Sequence, residues 1–498
     1  MTDHDHPAPN PTIGIRGKHT RREFLRRTGL VAGAGLATPW AVELASLANA
    51  AAPPGDAYKA MVCVFFHGGN DHSDTIIPNE PESYATYAAA RGPLARPRDT
   101  VLPISPTGGF SGAGTLGFAP ELPRLRQLFG TGDMALVSNL GTLIKPITKQ
   151  EYQLVGNRPP QLGSHNDQTS YWQASSPEGA TTGWGGRIAD LLLDGNGPNS
   201  TFTCVSASGN AVMLTGNDAL QYQVAGGGGT KLRTDTFSVS DTTDRLRAVR
   251  ELNSPGLFPE AYADTTRRAL DSADALGDAL ATARATYDTD RHFGGAGGKL
   301  EGQLRMVARM IAAGRDQLGL RRQVFFVSMG LFDDHSQLAE RHPGQLRAID
   351  NALADFYNAT VEIGAVDQVA TFTASDFGRT IHSNGNGTDH GWGGHHMVMG
   401  GSVIGNRVYG DVPVIARTGP DDTGRGVLIP RQSVDQYAAT FATWMGAGAN
   451  ELEAVVPNIG NYDVKDLGFL RSGDLRPVHG AGGNEGLRTA TRMGTARG

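Results

Sequence analysis

The chain has 498 residues, 39% hydrophobic and 19% charged, which is enough apolar material for one large core or two smaller ones and too much for a disordered polymer. Its formal net charge of -6, with no basic run outside the N-terminal segment, argues against a nucleic acid or an anionic membrane as partner.

The first legible feature is Thr20-Arg21-Arg22-Glu23-Phe24-Leu25-Arg26. A basic polar arm precedes the arginine pair, a mild Gly/Ala/Leu stretch follows, and Ala48-Asn49-Ala50 closes the segment as a small-residue cleavage site. Residues 1–50 therefore read as a twin-arginine signal peptide, and the twin-arginine translocase is the expected export partner of a chain that folds before it moves. Gly33-Ala34-Gly35 is no dinucleotide fingerprint, because no strand precedes it and no βαβ unit surrounds it. Beyond the signal no apolar run is long enough to span a bilayer, so the expectation is a periplasmic or extracellular product with no stable membrane span after cleavage.

Apolar runs without polar alternation fall at 60–66, 134–138, 201–206, 323–328 and 368–373, the pattern of strands buried on both faces. Helical patterns at 259–286, 300–318 and 344–363 alternate with them. The predicted class is α/β, a mostly parallel central sheet covered by helices on both faces. One domain is expected over 51–472, with a Gly-flanked helical insertion near 226–296 that forms a lobe or lid, and a flexible tail over 473–498. The only cysteines, Cys63 and Cys204, sit in apolar strand-like runs, where they are buried small hydrophobes or, in an oxidising compartment, one disulfide.

The segments that follow the strands carry the chemistry. They are 67–75, beginning His67-Gly68-Gly69-Asn70-Asp71, then Ser164-His165-Asn166-Asp167, Phe332-Asp333-Asp334-His335 and Ser375-Asp376-Phe377-Gly378-Arg379-Thr380. In an open parallel sheet the C-terminal strand ends share one edge, where ligands bind. A fifth polar segment, Thr388 to His396, precedes another apolar run and is placed to fold over that edge. Carboxylates and imidazoles gathered from several loops suit one or two divalent metal ions, Zn with His and Asp, or Mn or Ca with more oxygen. Among the hydroxyls, Ser164 is the chosen nucleophile: it precedes a predicted helix whose first N–H groups favour an anion, and a metal lowers a hydroxyl pKa as a general base would. Arg379 is the candidate clamp for phosphate or sulfate oxygens. No Gly-x-Ser-x-Gly elbow is present, which disfavours an α/β-hydrolase triad.

At these residues, together with Gly183-Trp184-Gly185-Gly186-Arg187, Asp389-His390-Gly391-Trp392-Gly393-Gly394, Ile429-Pro430 and Asp435-Gln436-Tyr437, nearly the whole mature chain resembles the twin-arginine-exported family known as domain of unknown function (DUF) 1501. That family is distantly related to the alkaline phosphatase and sulfatase superfamily. The resemblance implies an alkaline-phosphatase-like fold and a metal-dependent hydrolase of phosphate or sulfate esters, on a small-molecule or polymer substrate. It implies metal roles for Asp71, Asp333, His335 and Asp376, with His390 or His396 as the last histidine, and the nucleophile's place for Ser164. One departure stands out: the superfamily's Asp-His dipeptide is Asp376-Phe377 here, so an expected imidazole is missing. The alternative is a catalytically degenerate, metal-stabilised binding or scaffold protein of the cell envelope. Neither cysteine lies in the context an arylsulfatase needs.

Overall fold

The structure is a computed structural model that describes residues 57–108, 110, 114–154, 156–225, 228–229, 257–416 and 418–471. The chain divides into two units, Met1–Ala52 and Pro53–Gly498. The export signal, the tail expected over 473–498 and residues 230–256 of the expected insertion lie outside the described residues.

Six strands frame the molecule: β1 (Lys59–Phe66), β2 (Met134–Gly141), β3 (Cys204–Ser206), β4 (Arg322–Met329), β5 (Val369–Ser375) and β6 (Gly394–Met399). Across the main sheet they run β2, β6, β5, β1, β4, β3, with shorter strands extending both edges. β1 is parallel to β5 and β4, and β3 is parallel to β4. β6 alone of the six is reversed, antiparallel to both β5 and β2.

The absence of polar alternation in β1 has a direct cause. Ala60, Val62, Val64 and Phe66 enter one hydrophobic cluster, and Met61, Cys63 and Phe65 enter another. The two clusters lie on opposite faces, since successive strand residues point to opposite sides. Helices α1 (His165–Ala174), α2 (Trp184–Leu192), α3 (Leu257–Thr286), α4 (Gly298–Asp316), α5 (Leu338–Ile363) and α6 (Val434–Met445) supply both covers. Leu300, Leu304, Val307 and Ile311 of α4 and Leu346, Ile349 and Phe356 of α5 cover the first face, whereas Trp184 and Ile188 of α2 and Tyr437 and Phe441 of α6 cover the second. The expected α/β class, with a mostly parallel sheet covered on both faces, is borne out.

Within the expected insertion, α3 joins the first cluster through Leu276, Ala279 and Ala283. α5 begins six residues before the predicted start and carries Pro343 inside it, where the missing N–H forgoes one bond to the Ala339 carbonyl. The extension brings His342 inward, to 2.6 Å from an Asp74 oxygen and 3.0 Å from Asn70 Oδ1. Cys63 and Cys204 are both free and buried, so the disulfide alternative is not realised. Burial pushes both thiols up, Cys63 well above the usual thiol range, as suits inert core residues.

A candidate metal site at the sheet edge

The C-terminal ends of β1, β4 and β5 lie side by side, with Phe66 in register with both Met329 and Ser375. The loop after β1 can approach the loop after β4 because residue 68 is glycine: a Cβ there would lie 2.5 Å from the Asp333 backbone nitrogen. Its φ of +113° also lies in the region that favours glycine. The Gly68 N–H donates to Asp376 Oδ2 at 2.9 Å, and Asn70 N–H donates to Ser375 Oγ at 2.9 Å, fastening the first strand end to the third.

Ser164 caps α1, its Oγ accepting from Asp167 N–H at 3.3 Å, and so sets His165 as the first helical residue. His165 Nδ1 lies 2.6 Å from Asp376 Oδ2, His390 Nδ1 lies 2.7 Å from the Gly163 carbonyl, and His335 Nδ1 lies 3.1 Å from Asp389 Oδ1. A carbonyl and ionised carboxylates only accept, so each Nδ1 carries its proton and, in the neutral ring, each Nε2 presents a lone pair. All three Nε2 atoms converge on Asp333, at 3.5 Å for His165, 3.0 Å for His335 and 3.2 Å for His390. His335 Nε2 and His390 Nε2 stand 2.9 Å apart.

Mutually close Nε2 lone pairs repel and favour a proton or a metal ion between them, in addition to the Arg379 guanidinium that already meets Asp333 Oδ1 at 2.6 Å. A histidine fixed through Nδ1 by a carbonyl or carboxylate, with Nε2 aimed at a shared point, is the arrangement that orients metal-binding imidazoles. The ligand atoms of His165, Asp333 and His390 all lie within 4.8 Å of one another, and His335 Nε2 stands 3.0 Å from Asp333 and 2.9 Å from His390. Two buried atoms without hydrogen-bond partners, His165 Nε2 and Asp376 Oδ1, belong to the same constellation. The donor set, imidazoles with one carboxylate, suits Zn best among the ions expected.

The local field supports ionised Asp333. Burial pushes its carboxyl up, but the hydrogen bond and charge of Arg379, with His335 and His165 nearby, outweigh burial and leave it below the usual range. Hydrogen bonding to Asp376 raises His165 against the opposing effect of burial, whereas burial lowers His390.

The structure thus brings together Asp333, His335 and His390 of the expected metal residues, with Asp376 directly behind His165. It does not bring in Asp71 or His396. Asp71 is buried, holds Arg91 Nη2 at 2.9 Å and caps the short helix His72–Thr75. His396 is buried beside the Trp172 ring at 4.7 Å, with Nδ1 3.3 Å from Thr373 Oγ1. Arg379, the candidate clamp for phosphate or sulfate oxygens, is buried and turned inward. Its N–H groups go to Asp333 Oδ1 at 2.6 Å, the Gly68 carbonyl at 3.2 Å, Thr388 Oγ1 at 3.3 Å and the Thr388 carbonyl. It braces Asp333, which is a different task from clamping an external anion.

His165 and Asp389 were not singled out as site residues, although Ser164-His165 and Asp389-His390 stood among the segments that carry the family resemblance. Phe377, in place of the expected imidazole, packs against His165 and His390 with ring centroids 4.9 and 4.6 Å apart. A cleft of about 490 Å³, lined by Tyr152, Arg158, Pro159, Pro160 and Leu162 among others, ends one residue before Gly163.

The family described as "Protein of unknown function (DUF1501)" matches residues 58–446. The chain belongs to this family. No curated protein matches the DUF1501 chain in sequence. Among solved structures it is similar to Ps i-CgsB in complex with k-i-k-neocarrahexaose, with 12% identity, a TM-score of 0.33, and coverage of 80% of this chain and 77% of that one. It is also similar to PsFucS1 sulfatase from Pseudoalteromonas sp., at 9% identity and TM-score 0.33 over 88% and 78%. A mutant of the alkaline phosphatase PafA follows at 11% identity and TM-score 0.27 over 65% and 64%. Among the described residues no helix is long and apolar enough to cross a membrane.

Proposed function

We propose that this DUF1501 protein is an exported, metal-dependent hydrolase of phosphate or related sulfate esters, with residues 1–50 directing the folded chain through the twin-arginine translocase to the periplasm or beyond. The observation that carries the metal centre is the common orientation of His165, His335 and His390, each Nδ1 held by an acceptor and each Nε2 aimed at Asp333. A divalent ion held by His165, Asp333 and His390, with His335 alongside, would supply Lewis acidity towards an ester oxygen. Asp376 and Gly163 fix the two half-buried imidazoles of His165 and His390, and Arg379 keeps Asp333 ionised. Ser164, beside His165 at the N-terminus of the ten-residue α1, is the nucleophile in this reading, and the unpaired first-turn N–H groups of that helix favour a negatively charged group next to it.

The second reading, a metal-stabilised binding or scaffold protein, is favoured by Phe377, whose ring fills the space an additional imidazole would occupy. Elemental analysis of the exported wild type, of His165→Ala and of Ser164→Ala, paired with a screen of phosphate and sulfate esters, separates the two. The hydrolase reading expects stoichiometric metal in wild type and Ser164→Ala, little in His165→Ala, and turnover only in wild type. Metal without turnover of any ester selects the binding protein, and a metal-free, well-folded wild type after incubation with Zn²⁺, Mn²⁺ and Ca²⁺ rejects the metal centre altogether.

A further inference from the structure

Beneath the cluster runs a chain of buried contacts that begins at neither a ligand nor the surface. Arg91 is fully buried and donates from Nη2 to Asp71 Oδ2 at 2.9 Å and from Nη1 to the Thr380 carbonyl at 3.4 Å. Thr388 Oγ1 donates to the same Asp71 oxygen at 3.2 Å and accepts from Arg379 Nε at 3.3 Å. Arg379 Nη1 then reaches Asp333 Oδ1 at 2.6 Å.

The geometry points to Thr388 as a positioning residue for the metal cluster. Its one hydroxyl proton goes to Asp71 and one lone pair takes the Arg379 proton, so the fixed Asp71–Arg91 ion pair sets the direction of the guanidinium that holds Asp333. Asp71, Thr388 and Arg379 are all at most 2% exposed, so no solvent competes for these bonds. A buried chain in which every link depends on the next holds its geometry better than separate pairs do. The arrangement gives Asp71 a part in the site without contact with the ion: it acts three hydrogen bonds away from Asp333. Two residues after Thr388, His390 stands on the same short strand, Thr388–His390, so the hydroxyl also anchors the segment that delivers an imidazole.

This inference rests on the metal reading for its first readout and on the metal-free protein for its second. Thr388→Val keeps the shape of the side chain and removes both bonds, whereas Thr388→Ser keeps the hydroxyl. Removing a partner that orients metal ligands typically weakens affinity ~10–100-fold. Zn²⁺ affinity measured by competition with a chelator is expected to fall by about that factor in Thr388→Val and to stay within a few-fold of wild type in Thr388→Ser. Hydrogen exchange of the metal-free proteins is expected to rise over 331–335 and 379–390 in the valine variant alone. Equal Zn²⁺ affinity and equal exchange in valine variant and wild type, or a serine variant as impaired as the valine one, would overturn the assignment. If wild type binds no Zn²⁺, the metal reading falls by itself, and the exchange pattern of the three metal-free proteins still decides for or against Thr388.

Discussion

The tetrapeptide Gly-Trp-Gly-Gly occurs twice, at 183–186 and at 391–394, and the two copies adopt unlike structures. The first opens α2, and the second leads out of the short strand Thr388–His390 into β6. Each tryptophan is buried and donates Nε1–H to a carbonyl at 2.8 Å, Trp184 to Trp172 and Trp392 to Thr142. What differs is the sequence that follows. Arg187-Ile188-Ala189-Asp190-Leu191-Leu192 continues with a helical face that buries Ile188, Ala189 and Leu192, whereas His395-His396-Met397-Val398-Met399 suits a strand between two neighbours. The glycines serve close approach in both places, and the flanks choose helix or strand. One copy builds core; the other positions His390 at the sheet edge.

The sharpest way to break this comparison is to add a single methyl group. A Cβ at Gly186 would lie 2.1 Å from the Thr215 carbonyl carbon and 2.3 Å from Gly216 N, both backbone, whereas at Gly393 the nearest atom is the Asn139 side-chain oxygen. Alanine gains about 1 kcal/mol of helix propensity over glycine, too little to offset a backbone collision. Gly186→Ala is expected to lose about 3 kcal/mol or more in denaturant unfolding, and Gly393→Ala about 1–2 kcal/mol. Equal losses would refute the distinction between a backbone and a side-chain obstacle.

Acid should separate the regions next. Around the second copy three histidines are buried: His395 and His396 directly after it, and His72, whose ring lies 5.1 Å from that of His395. Burial lowers His72 to about 4 and His396 to about 3, and holds His395 well below the usual range. Above pH 6.5 folded and unfolded chains both carry them neutral, so their burial costs nothing electrostatic. As pH falls from about 6.5 towards 4, only the unfolded chain takes up these protons, and stability declines by about 1.4 kcal/mol per pH unit for each histidine. Denaturant unfolding from pH 7 to 4.5 is expected to show this slope, and His72→Asn to shallow it. A slope unchanged by that substitution would remove His72 from the account.

The smallest effects come from the indoles. Trp184→Phe and Trp392→Phe should each cost about 1–2 kcal/mol for the lost hydrogen bond and the space left behind. Only Trp392→Phe is expected to reduce metal content, because His390 lies two residues before it. Loss of metal in both variants would mean that general loosening, and not the placement of His390, governs the site.

Much of this was open to reading from the chain alone. Buried strands announce themselves as unbroken apolar runs, and β1 was legible because both its faces are covered. Asp333, His335 and His390 were legible because chemistry clusters after strand ends. Asp71 was misplaced for a reason no local pattern reveals: its partner Arg91 arrives from a helix 20 residues on and draws the carboxylate away from the cluster. His396 was misplaced because β6 carries an irregularity between Gly394 and His396 that alters which way its side chains face. Asp376 sits in the site, yet one oxygen is spent on His165 and Gly68, an assignment that depends on loop paths fixed only by tertiary packing.

The reversed strand has a consequence for synthesis. β6 lies between β2 and β5, joined to residues more than 250 positions earlier in the chain. Until β6 has left the ribosome, β2 has no neighbour on its β5 side and the His390 segment does not exist. A nascent chain stalled before residue 388 can pair β1, β4 and β5, yet it cannot assemble the cluster. The cluster therefore closes among the last events of folding, and under the proposed export route a translocase that accepts only folded cargo would be inspecting a chain whose centre has just closed.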